Sequence, residues 1–341
     1  QNLRGELASA ASLALSSTKV HNASGTLVSG GDLSIQAVAV ENGQGVIRTN
    51  QALSIAATQL DNQQGQVSSL GGLNLHVQDA LLNQAGQVAT GGELVVTVAS
   101  MNNQGGSVGS QGAFNLTATQ GIDNRGGQLL AQQDLAIKSA QLNNSSAGKI
   151  SAKSVEIAGV ESALGVAVNN SFAGRIDSQN ALTILAGPAS VVNQEGVIQA
   201  LGQVSVDTAN LNNSQGKVLS QSRVGLRANQ VTNEKGEISA IQGDVIVQAD
   251  SLLNTQGSLV AGQDLGLTVR ALSNSGLVSA GRDARLSLES MHNSGVIQGS
   301  QNLTVQVQTQ LHNQAGYILA GQALDVQAGA LAQSDAAVLS A

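Results

Sequence analysis

Five acidic side chains are the first candidates for chemistry, because each lies seven residues after one of a series of repeated glycines. Hydrolysis or elimination on a polysaccharide needs carboxylates that converge in one groove, or a carboxylate beside a basic residue. Arg282 and Arg285 lie next to the last acid, which predicts a charge-balanced surface rather than an acid pair, so we expect no catalytic residue and no enzyme activity. Each acid is expected to bond its own backbone in a turn. The acids are Asp32, Glu93, Asp134, Asp264 and Asp283.

Three histidines form a second candidate set. His21, His292 and His312 each directly precede an asparagine of the same repeat, and the last two fall in adjacent repeats, where two imidazoles could hold a metal. Elsewhere the same position holds residues as different as Glu41 and Leu82, which indicates a permissive outward position. Since a third ligand is missing, we expect no metal and no cofactor. The chain has no cysteine, so disulfides and zinc–thiolate sites are excluded.

The elements that position these residues belong to a repeat built around one glycine. The glycines recur at steps of mostly 19 to 21 residues, and an aliphatic residue lies two places after each of them. The two longer steps are 26 residues, from Gly148 to Gly174, and 22 residues, from Gly174 to Gly196. This regularity indicates an array of one small structural unit. The repeated glycines are Gly5, Gly25, Gly45, Gly65, Gly86, Gly106, Gly127, Gly148, Gly174, Gly196, Gly216, Gly236, Gly257, Gly276, Gly295 and Gly316.

Inside one repeat the apolar residues alternate with the period of a β-strand. In the repeat after Gly45 the expected inward residues are Ile47, Thr49, Leu53, Ile55, Ala57 and Leu60. Three short strands in about 20 residues, with no helical stripe between them, predict an all-β fold in which the chain coils as a parallel β-helix. The crossover rule predicts a right-handed coil. About 16 coils at a spacing of about 4.8 Å would reach roughly 75 Å.

An asparagine precedes most of the repeated glycines and predicts a polar ladder. Asn tolerates the conformations of turns, and its amide can bond the same residue one coil above and below, while the glycine is expected to supply a positive φ. We call this set the asparagine ladder. Its predicted members three residues before the glycine are Asn2, Asn22, Asn42, Asn62, Asn83, Asn103, Asn124, Asn193, Asn213, Asn233, Asn254 and Asn313. Two more lie two residues before it, Asn274 and Asn293.

Composition and charge exclude several classes of partner. The net charge is −7 and the Lys and Arg residues are scattered, so the chain lacks the clustered basic residues that nucleic-acid binding requires. No run of about 18 apolar residues is present, and we expect a chain that does not span a membrane. With 2 Phe, 1 Tyr and no Trp, the core must consist of aliphatic side chains. Met101 and Met291 fall at core positions and not at a metal or redox site.

The repeat is irregular in two places. About five extra residues lie within 158–173, and an insertion into a solenoid must leave it as a loop on one face, where it is either tolerated drift or a contact site. The repeat also fades over 331–341, and we predict one continuous β-helical segment over 1–341. The candidate partner contacts are Glu161, Ser162, Leu164, Asn169 and Phe172.

The consensus N-x-x-G-x-[ILV]-x-[AST]-x(3)-L-x-[ILV]-x-[AT]-x(2)-L-x-N resembles the repeat of filamentous haemagglutinins over essentially the whole chain, with 62–83 and 193–213 as clear examples. The resemblance implies a monomeric segment of a longer, secreted or cell-surface protein of a Gram-negative bacterium. It also implies two-partner secretion through an outer-membrane transporter and a right-handed β-helical filament. Members include host adhesins and effectors of contact-dependent growth inhibition, whose surface receptor is a protein or glycan on a target cell.

Three hypotheses about function follow. The first is a structural segment that extends outward and presents a binding surface. The second is a receptor- or glycan-binding module that uses one face, for instance around 158–173. The third is a carbohydrate-active β-helix enzyme, which would require three or more ionisable groups in one groove.

Overall fold

The structure is a computed structural model that describes residues 1–161, 163–334 and 336–341. The chain divides into two compact units. The first comprises 1–169 and 173–177, and the second comprises 170–172 and 178–341. The described residues contain 36 β-strands and no helix, and all strand pairs given below are parallel. The all-β parallel solenoid predicted from the sequence is confirmed in both units, whereas its handedness and the continuity of 1–341 stay predictions.

Each coil begins with a short strand of three or four residues that follows the repeated glycine. Seventeen such strands occur in the described residues, sixteen of them after a repeated glycine and β36 after Ala337. In the first part of the chain they are β1 (Glu6–Ser9), β3 (Thr26–Ser29), β5 (Val46–Thr49), β7 (Gln66–Ser69), β9 (Gln87–Thr90), β11 (Ser107–Ser110), β13 (Gln128–Ala131), β16 (Lys149–Ala152) and β19 (Arg175–Ser178). The remainder are β22 (Val197–Ala200), β24 (Lys217–Ser220), β26 (Glu237–Ala240), β28 (Ser258–Ala261), β30 (Leu277–Ala280), β32 (Val296–Gly299), β34 (Tyr317–Ala320) and β36 (Val338–Ser340).

The rest of most coils is one long strand, where the sequence predicts two short ones. The prediction of three strands per coil is wrong there, because the second and third strands join through an irregularity such as the register shift between Val98 and Ser100, without a chain-breaking residue. The long strands are β2 (Leu13–His21), β4 (Leu33–Glu41), β6 (Leu53–Asp61), β8 (Leu73–Leu82), β10 (Leu94–Asn102), β12 (Phe114–Asp123), β23 (Gln203–Asn212), β25 (Arg223–Thr232), β27 (Val245–Asn254), β29 (Leu265–Asn274), β31 (Ala284–Asn293), β33 (Asn302–Gln314) and β35 (Ala323–Ser334).

Three coils keep the predicted division into two shorter strands after the first one. They are the coils around the two long steps of the repeat and the coil before them. Their strands are β14 (Asp134–Ser139) with β15 (Gln141–Asn143), β17 (Ser154–Ala158) with β18 (Ala167–Asn169), and β20 (Leu182–Leu185) with β21 (Ser190–Val192).

The core of each unit consists of columns of aliphatic side chains that stack from coil to coil. Ile47 pairs in register with Leu27 on one side and Val67 on the other, and its side chain is fully buried. Leu53, Ile55 and Leu60 form the other columns of that coil and are at most 1% exposed. Each such side chain contributes about 1.5–3 kcal/mol through burial, so the apolar alternation of the sequence directly sets which face lies inside.

The two methionines are core residues as expected, whereas two residues of the first coil are less buried than their equivalents in other coils. Met101 and Met291 are each 2% exposed, which confirms them as core residues. Leu7, which follows the first repeated glycine, is 40% exposed and Leu13 is half-buried, because another coil covers them on one side only.

The irregular segment predicted at 158–173 contains a loop of the first unit between β17 and β18, located where other coils have the irregularity in the long strand. It leaves the coil after β17 and returns at Val166, which is fully buried, before β18 pairs in register with β15. The backbone amides of Leu164 and Gly165 both donate to the carbonyl of Glu161 at 3.1 Å. Most of the extra residues therefore lie between β17 and β18, and one more lies in the turn before Gly174, where Phe172 and Ala173 both have a positive φ.

The fading repeat at 331–341 adds a further short strand. β35 extends to Ser334, and β36 pairs with β34 in the register of the earlier coils. Asp335 lies outside the described residues, while Ala336 has φ of 57°, as do the residues at the equivalent turn of other coils. The amino-acid sequence of this turn differs from that of the other coils, but the backbone conformation at Ala336 is the same as in their turns.

Candidate functional site

The asparagine ladder is a buried line of side-chain amides along each unit. The Nδ2 of Asn62 donates to the Oδ1 of Asn83 at 2.7 Å and also lies 3.3 Å from the carbonyl of Gly65 and 3.1 Å from that of Gln87. Its own Oδ1 accepts from the Nδ2 of Asn42 at 2.8 Å, and the whole residue is 0% exposed. One side chain thus satisfies polar groups of three successive coils, as a buried amide requires.

The ladder continues through both units with nearly constant geometry. The amide-to-amide distances are 2.7–2.8 Å in the first unit and 2.7–2.9 Å in the second. In the first unit it runs through Asn2, Asn22, Asn42, Asn62, Asn83, Asn103, Asn124 and Asn144. In the second unit it runs through Asn170, Asn193, Asn213, Asn233, Asn254, Asn274, Asn293 and Asn313.

Asn144 and Asn170 are ladder members that the sequence analysis missed. Both lie four residues before the repeated glycine instead of three or two, because their turns contain one more residue in the left-handed conformation. Ser146 and Ala147 have φ of 55° and 64° in one turn, and Phe172 and Ala173 have φ of 53° and 63° in the other. An Asn-Asn-Ser sequence precedes each of these turns and was the available signal.

The repeated glycine has a different role from the predicted one. None of the ladder glycines among the described residues has a positive φ; in most coils the residue before the glycine does, for example Gln44 at 58° and Gln64 at 56°. A Cβ on Gly106 would lie 2.1 Å from the carbonyl oxygen of Asn83 and 2.7 Å from the Oδ1 of Asn103. The prediction of a positive φ at the glycine is therefore wrong: glycine is needed because the backbone of the previous coil and the ladder side chain pass too close for any side chain.

Three of the five acids seven residues after the glycine differ from their prediction. The Oδ1 of Asp32 accepts from the backbone amide of Ala52, one coil later, at 3.1 Å. In the second unit the Oδ1 atoms of Asp264 and Asp283 accept the amides of Asp283 and Asn302 at 3.3 and 3.1 Å. These carboxylates bond the next coil and not their own backbone, because the equivalent amide of the neighbouring coil lies directly beside each of them.

Asp264 has a further charged partner. Arg282 donates from Nη2 and Nε to its two carboxylate oxygens at 2.7 and 3.1 Å. This guanidinium holds the pKa of Asp264 below its ordinary value, so the carboxylate stays ionised and cannot serve as a general acid near neutrality. Glu93 accepts from the Nδ2 of Asn115 at 3.0 Å. The interactions are those of a charge-balanced surface.

The histidines occupy outward positions as expected. His292 and His312 pair in register, both are exposed, and their ring centroids are 6.3 Å apart with the planes tilted by 48°. The Nε2 of His21 lies 3.3 Å from the Oε2 of Glu41, which also contacts Lys19. Within 1–161, 163–334 and 336–341, no group of three or more His, Cys, Asp or Glu residues could hold a metal.

The candidate partner contacts fall into different environments. In the first unit Glu161 and Leu164 are exposed on the loop, with Leu164 at 68%, whereas Asn169 is half-buried and its carbonyl accepts the amide of Asn144 at 2.7 Å. In the second unit Phe172 is 55% exposed in a left-handed turn, and its amide donates to the carbonyl of Gln194 at 2.9 Å. Ser162 lies outside the described residues. A role of these residues in partner binding stays a proposal.

Comparison with known proteins gives one family. The family model described as Haemagglutinin repeat matches residues 2–85, 77–126, 111–186, 173–240, 223–290 and 278–341, which together span the chain from residue 2 to its last residue. No curated protein and no solved structure matches. In the described part of the chain, no helix is long and apolar enough to cross a membrane.

Proposed function

This chain belongs to the haemagglutinin repeat family, and from that premise we propose that it is a structural and presenting segment of a bacterial cell-surface filament. Haemagglutinin repeats are typical of secreted or cell-surface proteins and form a structural and adhesive family, not an enzyme family. In this proposal the segment extends a longer protein outward from a Gram-negative cell. That protein reaches the surface through an outer-membrane transporter by two-partner secretion.

The observation that carries the proposal is the equivalence of successive coils. Each coil repeats the same core columns and contributes one asparagine to the ladder, and each adds about 4.8 Å along its unit. In such an array each coil contacts only its neighbours, so the number of coils can change without a change in the fold. A segment of this kind is suited to setting how far the longer protein extends from the cell.

Removal of one whole coil tests this equivalence. Deletion of 63–83 joins Asn62 to Gln84 in register, so the ladder and the core columns continue, and we expect the variant to keep its β-structure with a melting temperature within a few degrees. Deletion of 63–72 as the control removes half a coil and places polar residues at core positions. Far-UV circular dichroism during thermal unfolding gives the readout. If the whole-coil deletion unfolds as readily as the half-coil deletion, the coils are not interchangeable and the spacing role loses its basis.

A second candidate is a receptor-binding module, and the loop of the first unit favours it. Leu164 presents a large apolar side chain at 68% exposure on a loop that the regular coil does not need. Binding residues are disproportionately located on loops that a rigid scaffold positions, and this loop is an insertion into such a scaffold. The receptor would be a protein or glycan on a target cell: a neighbouring bacterium for contact-dependent growth inhibition, or a host cell for an adhesin.

Binding of the fluorescently labelled chain to Gram-negative bacteria and to epithelial cells separates these candidates. Saturable binding to bacteria supports a growth-inhibition effector, and saturable binding to epithelial cells supports a host adhesin. In either case Leu164→Ser should reduce binding about tenfold, whereas Leu70→Ser, at an equally exposed residue of another coil, should not. Binding to neither cell type contradicts the receptor-binding candidate and leaves the spacing role. The substitution is preferable to deletion of 159–168, which would also remove the buried Val166 and Val168.

A further inference from the structure

His292 and His312 are a pair of imidazoles that the coil brings together on the outer surface of the second unit. They are equivalent residues of the adjacent parallel strands β31 and β33, and their ring centroids are 6.3 Å apart. The in-register pairing fixes the separation of their backbones at about 4.8 Å. Both side chains are exposed and can change rotamer freely.

The surroundings of the pair leave it accessible. The residues at the same position in the preceding and following coils are Ser273 and Ala332, whose side chains are short. Gln310 and Ser290 lie nearby, and among the described residues no further His, Cys, Asp or Glu completes a group of three. Both imidazoles can therefore turn a ring nitrogen toward the same point in solvent.

We propose that His292 and His312 together bind one divalent transition-metal ion, such as Cu²⁺ or Zn²⁺, at an open surface site. Metal–nitrogen distances of about 2.0–2.1 Å require the two nitrogens to lie about 3 Å apart and the ring centroids about 5 Å apart. The ring centroids are 6.3 Å apart, so an approach of about 1 Å through side-chain rotation would bring them to this geometry. Imidazole suits Cu²⁺, Ni²⁺ and Zn²⁺, and Cu²⁺ binds most tightly among them.

No metal was expected from the sequence because a third protein ligand is missing, as it also is among the described residues, but an open surface site needs only two, and these leave at least two coordination positions on the ion. In a structural metal site all positions are filled by the protein, whereas here water or a donor group of another molecule occupies them. The site is therefore a point at which a metal ion can link this surface to an imidazole or carboxylate of a second molecule. This inference does not depend on the proposed function.

The other two histidines of the chain provide matched controls. His21 occupies the same position in its coil, but its neighbour in the next coil is Glu41 instead of a second imidazole. His76 lies on an outward face between Ala56 and Thr97. Neither has an imidazole beside it, so each offers a single nitrogen ligand, and the Glu41 carboxylate beside His21 is already paired with Lys19.

Titration of the untagged chain with Zn²⁺ in a calorimeter tests the proposal. We expect one site, retained in the double variant His21→Gln/His76→Gln and weakened about tenfold or more by either His292→Gln or His312→Gln. His76, His292 and His312 are exposed and His21 is half-buried, and unchanged circular dichroism verifies that the fold is intact. The proposal is overturned if all variants bind Zn²⁺ equally or if the parent chain shows no detectable binding. It is also overturned if the double variant loses as much affinity as His292→Gln or His312→Gln.

Cu²⁺ provides an independent readout of location. Because Cu²⁺ is paramagnetic, the imidazole proton resonances of His292 and His312 should broaden together at substoichiometric metal, before those of His21 and His76. Preferential broadening of His21 or His76 would contradict the assignment. A tighter affinity for Cu²⁺ than for Zn²⁺ is expected from the general order of divalent metals.

Discussion

Replacement of Gly106 by alanine is expected to destabilise the solenoid by about 3 kcal/mol or more. The added Cβ would lie 2.1 Å from the carbonyl oxygen of Asn83 and 2.7 Å from the Oδ1 of Asn103. Neither atom can move away, since Asn103 is fully buried and its side chain is bonded within the ladder. The coil must therefore separate from its neighbour, and this weakens the ladder at the same point.

Gly109→Ala is the control in the same coil. A Cβ there meets only the carbonyl and Cβ of Leu130, at 3.6 and 3.8 Å, which are ordinary contacts. A glycine in a strand interior costs roughly 0.5–1 kcal/mol relative to alanine, so this variant should be unchanged or slightly more stable. Urea unfolding followed by far-UV circular dichroism compares the two midpoints. If Gly106→Ala unfolds at the same urea concentration as Gly109→Ala, close backbone approach is not the reason for the repeated glycine.

Replacement of Asn62 by aspartate is expected to cost about 3–5 kcal/mol at neutral pH, the range found when a buried charge is left without compensation. The amide nitrogen of Asn62 faces three oxygens, those of Asn83 Oδ1, Gly65 and Gln87, at 2.7–3.3 Å. A carboxylate oxygen in the place of this nitrogen is a hydrogen-bond acceptor that faces three other acceptors. Among the described residues, no cationic side chain bonds to the site. The variant loses three contacts and also repels their partners.

The pH dependence of this variant has a definite sign. Burial beside oxygens favours the neutral acid, so the folded-state pKa of the introduced carboxyl lies above its unfolded value of about 3.9. Protonation therefore favours the folded state, and the loss of stability is smallest below about pH 4 and grows as the pH rises toward the folded-state pKa. The neutral acid can donate to Asn83, which the carboxylate cannot.

Asn50→Asp is the matched control because Asn50 belongs to the same coil and is exposed at its corner. It should unfold within about 0.5 kcal/mol of the parent chain. Urea midpoints of the two variants at pH 7 and pH 4 provide the measurement. If Asn62→Asp shows no loss of stability at pH 7, or a loss at pH 4 as large as at pH 7, the role assigned to the ladder is contradicted.

The fold could be predicted from the sequence because inward and outward residues of a strand alternate and the repeat shows this alternation many times. Ile47, Leu53 and Leu60 are buried as expected for that reason. The division of the coil into strands was less predictable. The corner after Ala57 is a register irregularity in a continuous strand and carries no proline or glycine, so the sequence has no signal that separates a corner from a new strand.

The details of the candidate site were harder to predict for two physical reasons. Glycine is required both where φ is positive and where another backbone passes close by, and residue identity alone does not distinguish these causes at Gly106. Asn144 and Asn170 were missed because one additional left-handed residue moves the asparagine by one position. Which amide the Asp32 carboxylate accepts from depends on the neighbouring coil, which a single repeat does not contain.

The constant separation between bonded partners has a consequence for how the chain folds. Ladder partners such as Asn22 and Asn42 are 20 residues apart, and the same holds for the strands beside them. Folding rates fall as contacting residues become more distant along the chain, but here a longer array adds no longer-range contact. Each new coil closes a loop of the same length onto a template that already exists. A nascent or emerging chain can therefore acquire its native structure progressively from one end, and the last coil forms as readily as the second.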